Sequence, residues 1–169
     1  AEVQLEFIDP ADESEGEGGG AMFPTGNLVD DLDVPGVGLF KATMINAGVP
    51  VVFLEAAALG YDGTELQGAI NEDKLALAKL EAIRAYGAVR MGLLDDASLA
   101  AKQPLKPKLV LVAQPKDYVS SSGKPVHASD IDLLARAMST GKLHHAMMGT
   151  ASVAVAAAVA VPGTLVNTA

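Results

Sequence analysis

The chain has 169 residues, half of them hydrophobic, which suits one domain with a substantial core. It holds no Cys, which excludes disulfides and thiolate chemistry, a two-thiol racemase mechanism within this chain included. The net charge of -9 is concentrated at one end: ten of the 21 acids, and none of the 12 Lys and Arg, fall within residues 1–40, so the remainder is close to neutral.

A near-neutral body with no basic run and no interleaved aromatics is unsuited to phosphate backbones, so nucleic acid is not expected as a partner. A few gathered cations would still suffice for a small anion. No signal peptide is present and no apolar run reaches the ~20 residues of a bilayer span, so a cytoplasmic protein without a membrane partner is expected. The first residue is Ala rather than Met, which processing and truncation both explain.

In chain order, Val3, Leu5 and Phe7 alternate with Glu2, Gln4 and Glu6, the period of a strand with one wet face, closed by Asp9-Pro10. Residues 11–21 are acidic and Gly-rich, a spacer loop. The Gly run within them lacks the Gly-Lys-Ser/Thr ending of a phosphate loop. Phe23-Pro24-Thr25-Gly26-Asn27 is a turn signature, followed by residues 28–32 and a Pro-Gly connection over 34–38. Residues 39–45 and 51–54 are two apolar runs joined by Asn46-Ala47-Gly48-Val49-Pro50, which predicts strand, tight bend, strand. Asn46 serves either the backbone of that bend or a ligand.

A helix is predicted over 71–91, with Asn71 as its cap, Glu72 and Asp73 complementing its dipole, and Leu77, Leu80, Ile83 and Met91 as its core stripe. Arg84 and Arg90 are assigned to its solvated face, and Gly92 to its end. After a break at 104–107, Lys108–Ala113 reads as a strand covered on both sides. Lys108 at its mouth is either a snorkelling surface residue or a fixed charge beside a ligand. Residues 114–127 form a polar loop, and residues 130–138 fit either a strand, with Leu134, Arg136 and Met138 on one face, or a short helix.

The run 151–161 is Ala and Val with only Ser152 interrupting, so a central helix enclosed on all sides is predicted, stopped by Pro162-Gly163. The amides of Met148, Gly149, Thr150 and Ala151 at its start have no intrahelical partners and suit an anion, and Gly149 permits close approach. Arg136, Ser139, Lys142 and His144, just upstream, are all donors for a carboxylate or phosphate. The plainer alternative is an ordinary Ser or Thr cap among surface charges. The three His residues have no metal-ligand spacing, and neither Gly-x-Ser-x-Gly nor Gly-x-Gly-x-x-Gly occurs, so no metal or dinucleotide cofactor is expected.

Eight phrases, in order along nearly the whole chain, resemble one family: Phe23-Pro24-Thr25-Gly26-Asn27, Ile45-Asn46-Ala47-Gly48-Val49-Pro50, Gly63-Thr64-Glu65, Ile83-Arg84, Pro107-Lys108, Ala135-Arg136-Ala137-Met138-Ser139, Gly141-Lys142-Leu143-His144 and Pro162-Gly163-Thr164. They are similar to the PrpF family of 2-methylaconitate cis-trans isomerase, 4-oxalomesaconate tautomerase and methylitaconate isomerase. The resemblance implies an α+β fold of the diaminopimelate epimerase kind, in which each of two lobes wraps a mixed, mostly antiparallel sheet or barrel around a central helix. It covers the second, C-terminal lobe, residues 1–169 as a single domain. The first lobe, with the family's catalytic Lys, has no counterpart in this sequence.

By the same resemblance the substrate-binding residues are Lys108, Ser139 and His144. Arg136, Gly149 and Thr150 join them on physical grounds as further carboxylate donors. Val49 departs from the family's more usual Asn, which removes a polar contact at that position. The implied reaction removes a proton next to an unsaturated carbon of a di- or tricarboxylate and returns one after charge has spread into an enolate-like species. His144 either assists the proton transfer or orients a carboxylate. The partners implied are a small unsaturated polycarboxylate and the first lobe of the same enzyme, and a homodimer is compatible with both. The competing readings are a non-catalytic small-carboxylate-binding module and an interaction domain.

Overall fold

The computed structural model describes Gln4, Glu6 and residues 21–169. The strand expected through Val3, Leu5 and Phe7 and the acidic stretch up to Gly20 lie outside the described residues.

Strands β1 (Asp30–Val34), β2 (Gly38–Ala47), β3 (Val49–Glu55), β4 (Lys108–Ala113), β7 (Leu134–Ser139) and β8 (Lys142–Leu143) form one sheet in the order β1-β2-β3-β4-β7-β8. Neighbours are antiparallel except β3 and β4, which are parallel. Two parallel neighbours need a long crossover, and α1 (Gln67–Asn71) and α2 (Lys74–Arg90) lie within it. α3 (Gly149–Val159) and α4 (Leu165–Thr168) follow β8.

Strand alternation divides the core in two. Val52, Leu54, Leu109, Leu111 and Met138 pack with Leu80 and Ile83 of α2, whereas Val51, Phe53, Val110, Val112 and Ala137 pack with Ala154 and Ala158 of α3. β3 and β4 are therefore buried on both faces, as their β-branched composition predicts. At α2 the approach is close: a Cβ on Gly87 would lie 2.6 Å from Val52 Cγ2, so only glycine fits.

Several sequence expectations are corrected. The bend between β2 and β3 is a single residue, Gly48 at φ 71°, and Asn46 and Ala47 belong to the strand, opposite Pro50 and Val49. The helix expected over 71–91 starts at Lys74. Asp73 caps it, accepting from Leu75 N and Ala76 N at 2.9 and 3.0 Å, while the Asn71 amide is engaged with the backbone of Leu143. Arg84 is buried rather than solvated: it pairs with Glu81 through two nitrogens and donates to the carbonyls of Ala100, Gln103 and Lys106. It pins the 97–107 segment to α2. Arg90 bonds Asp30, whose carboxylate also accepts from Thr25 Oγ1 and Asn27 Nδ2, so the turn at 23–27 is folded around a buried acid.

The polar loop at 114–127 contains a small hairpin of β5 (Tyr118–Val119) and β6 (Pro125–Val126), and residues 134–139 are a strand because β4 offers them a full ladder. The apolar helix runs over Gly149–Val159 rather than 151–161, and it is not enclosed on every side. Ala151, Ala154 and Ala158 are buried, while Val159 is 42% exposed, because the sheet covers one face of the helix. Pro162-Gly163 ends it, and buried Thr164 ties it to α4 by donating to Ala158 O and accepting from Asn167 N.

Candidate functional site

β4 begins at Lys108, and its antiparallel register with β7 matches Leu109 to Met138, so Lys108 and Ser139 are brought together at the sheet's end. Lys108 Nζ donates to Ser139 Oγ at 3.0 Å. Lys108 is 9% exposed, not a snorkelling surface residue, and among the described residues it forms no ion pair with an acid. Burial, and then the positive charge of Arg84, hold its ammonium below the ordinary lysine pKa of 10.5. An ammonium has three donors and a hydroxyl also donates, so the pair retains donor capacity for an anion.

The start of α3 is open. Met148 at its head is extended, with φ -78° and ψ 135°, and no side chain caps the helix; its first turn holds no acid. The ordinary Ser or Thr cap is therefore not what stands here. Gly149 and Thr150 are exposed, and a Cβ on Gly149 would meet nothing within 4 Å. The Gly48 hairpin tip seats this end of the helix: a Cβ there would lie 3.4 Å from Val153 Cγ1 and 3.9 Å from Thr150 O.

Arg136 stands apart from the Lys108–Ser139 pair. Three residues apart on β7, Arg136 and Ser139 fall on opposite faces. Arg136 Nε donates to Glu65 O at 2.9 Å, Nη1 donates to Ala135 O, and the guanidinium lies 4.9 Å from the Tyr118 ring centroid. His144 continues the ladder by donating its N–H to Ala137 O, and its ring stacks on His145 at 4.8 Å. Its Nδ1 is 2.7 Å from Ala146 O. The backbone N–H of Ala146 also faces this nitrogen, at 3.4 Å. Arg136 and His144 line one cavity of ≈140 Å³.

Sequence reasoning missed Asn71, which acts on this region from a distance. Its Nδ2 donates to Leu143 O at 3.1 Å and its Oδ1 accepts from Leu143 N at 2.7 Å, the two bonds a neighbouring strand would make. It thereby closes the edge of β8 and fixes the backbone that carries His144. The signal was present in Asn71-Glu72-Asp73, two capping residues where one helix needs one.

A family model described as PrpF protein matches residues 1–169. The chain is 64% identical over 167 residues to the 2-methyl-aconitate isomerases of Shewanella oneidensis and Cupriavidus necator, covering 99% of this chain and 42% of each relative. It is 34% identical to the 3-methylitaconate isomerase of Eubacterium barkeri, covering 96% of this chain and 42% of the relative. It thus spans well under half the length of the curated relatives it matches. The crystal structure of methylitaconate-delta-isomerase superimposes with a TM-score of 0.84 at 35% identity, over 88% of this chain and 38% of that one. The mixed, mostly antiparallel sheet with its apolar helix is the diaminopimelate epimerase-like fold of that structure. By the family match along its whole length and the identity to these relatives, the chain belongs to the PrpF protein family.

Proposed function

We propose that this chain is the substrate-binding lobe of a cofactor-independent isomerase or tautomerase that acts on unsaturated di- or tricarboxylates like 2-methylaconitate. The observation that carries this reading is the buried Lys108 ammonium, bonded to the Ser139 hydroxyl rather than to an acid. A buried cation without a counter-ion is costly, and an incoming carboxylate offsets that cost. Ser139 Oγ accepts from Lys108 and keeps its own proton to donate, so the two groups grip one carboxylate. The open amides at Gly149 and Thr150 add donors of the same polarity.

The names of the relatives fit this chemistry, because 2-methylaconitate and 3-methylitaconate are both unsaturated carboxylates. A base takes a proton from the carbon next to the double bond. The electron pair spreads into the conjugated carboxylate, and a proton returns at the original or the conjugate carbon, or the bond rotates first. Fixed donors around that carboxylate stabilise the charge as it develops. In this reading the base belongs to the first lobe, as the resemblance implies, and the second lobe holds the substrate.

The test is a titration of the chain with cis-aconitate followed by NMR, with its trimethyl ester as a neutral control. Saturable binding of the acid and none of the ester is expected. Failure of the acid to bind, or equal binding of the ester, would overturn the proposal.

A further inference from the structure

Lys108 is held from two directions. Downstream, ladders fix its strand: β4 runs parallel to β3 from the match of Val51 with Lys108, and antiparallel to β7 from the match of Leu109 with Met138. Upstream, the chain arrives through residues 101–105, which are all exposed and draw little order from the core. Arg84, on α2 and 4% exposed, supplies support there. Its five N–H donors are all engaged. Nε and Nη2 donate to the two carboxylate oxygens of Glu81 at 2.8 and 2.7 Å, and Nη2 also donates to Ala100 O at 2.9 Å. Nη1 donates to Gln103 O and Lys106 O at 3.1 and 2.9 Å, and Lys106 stands two residues before Lys108. Arg84, Pro107 and Lys108 line one cavity of ≈10 Å³, about the space of one water, so this end of β4 is closely packed on α2. A second cation so near is unfavourable for a buried ammonium, and it helps to hold Lys108 below 10.5. What a guanidinium offers in return is geometry, a rigid fork that reaches three carbonyls of one segment at once.

We propose that Arg84 is a positioning residue for Lys108: by fixing the carbonyls of Ala100, Gln103 and Lys106 it sets where the chain enters β4, and so holds the ammonium against Ser139 Oγ and in reach of a substrate carboxylate. With its donors all engaged, Arg84 itself does not bind the substrate. Its part in substrate binding rests on Lys108 being a carboxylate-binding residue. Its placement of Lys108 is measurable without ligand, so the two claims are told apart.

The experiment follows the Cε NMR signal of Lys108, assigned by its loss in Lys108→Met, through a pH titration of the chain carrying isotope-labelled lysine, alongside calorimetry with cis-aconitate. Arg84→Lys retains the charge at position 84 but replaces a fork of five donors with an ammonium of three. The Lys108 midpoint is expected to rise toward 10.5 as the ammonium gains solvent, and affinity for cis-aconitate to fall about tenfold. Added to Lys108→Met, the same substitution is expected to weaken binding no further, because it acts through Lys108. A second variant, Glu81→Leu with Arg84→Met, removes both members of the ion pair together and leaves no uncompensated charge, which favours folding. It is expected to move the Lys108 midpoint in the same direction. An unmoved midpoint in either folded variant would overturn the proposal. So would a loss of affinity that adds in full to that of Lys108→Met, which would make Arg84 a general scaffold residue. A midpoint that rises in the variants while the wild type takes up no cis-aconitate would support the placement of Lys108 by Arg84 and contradict the carboxylate-binding role of Lys108.

Discussion

Replacing Lys108 with Met removes the ammonium while keeping an unbranched stem, and so separates binding from folding. A hydrogen bond to a charged group contributes about 1.5–3 kcal/mol. At about 1.4 kcal/mol per decade the substitution should weaken carboxylate binding by about 10- to 150-fold. Stability should barely move. The variant loses the bond to Ser139, worth about 1 kcal/mol, but it also sheds a charge whose burial beside Arg84 depresses its pKa. Calorimetry with cis-aconitate and thermal unfolding of the same samples read the two quantities. The pH dependence has a definite sign. Between the depressed folded pKa and 10.5 the unfolded chain binds the extra proton, so this residue makes stability rise with pH across that window. Affinity for a carboxylate falls across the same window as Lys108 loses its charge. A melting temperature several degrees lower with unchanged affinity would mean that Lys108 is a structural residue and refute the argument.

Three further substitutions examine the scaffold behind the site. Asn71→Ala should cost about 1–3 kcal/mol in urea unfolding, because the buried edge of β8 loses a donor and an acceptor together; hydrogen exchange at the Leu143 amide should accelerate, and an unchanged Leu143 rate would contradict the clamp. Arg84→Met should cost about 3–5 kcal/mol, as expected when one partner of a buried charged network is removed; a urea midpoint close to wild type would return Arg84 to a surface role. For Asp30, burial pushes the carboxyl up, but bonds from Thr25, Arg90 and Asn27 and the charge of Arg90 together bring it below 3.8. Its stabilisation is thus full above 3.8 and lost as pH falls through the lower folded value. Arg90→Ala should move acid unfolding to higher pH, measured by circular dichroism, and an unmoved acid transition would refute the pairing.

The strands of the sheet's centre were legible because burial on both faces leaves a direct mark: Val51 to Leu54 and Leu109 to Val112 are continuous apolar runs. β7 was ambiguous because Ala alternates with Leu134, Arg136 and Met138, a pattern that serves helix and strand alike until β4 provides a ladder. Arg84 and Lys108 were misjudged or left open for a common reason. Their burial is decided by groups distant in sequence, the carbonyls at 100–106 for one and Ser139 for the other. The enclosure of α3 failed for a different reason, since apolar composition reports what a helix can bury and not how many strands cover it. Much of the family phrasing proves architectural: Glu65 caps Asp62 and Gly63, Thr164 joins two helices, and the Gly48 tip seats α3. Lys108 and Ser139 meet across β4 and β7. The division of Arg136 from them follows from the three-residue offset along β7, which becomes meaningful only once that segment is a strand, whereas His144, opposite Ala137, keeps to the Ser139 face.

The measurement closest to the central claim is proton NMR of the chain with 2-methylaconitate in deuterated buffer, following line broadening and the loss of carbon-bound protons together. A substrate-binding lobe whose base lies elsewhere broadens the signals without exchanging a proton, and the broadening disappears in Lys108→Met. Exchange catalysed by this chain alone, abolished in His144→Ala, would contradict the division of labour by locating a base here. Neither broadening nor exchange would contradict the proposed substrate class itself.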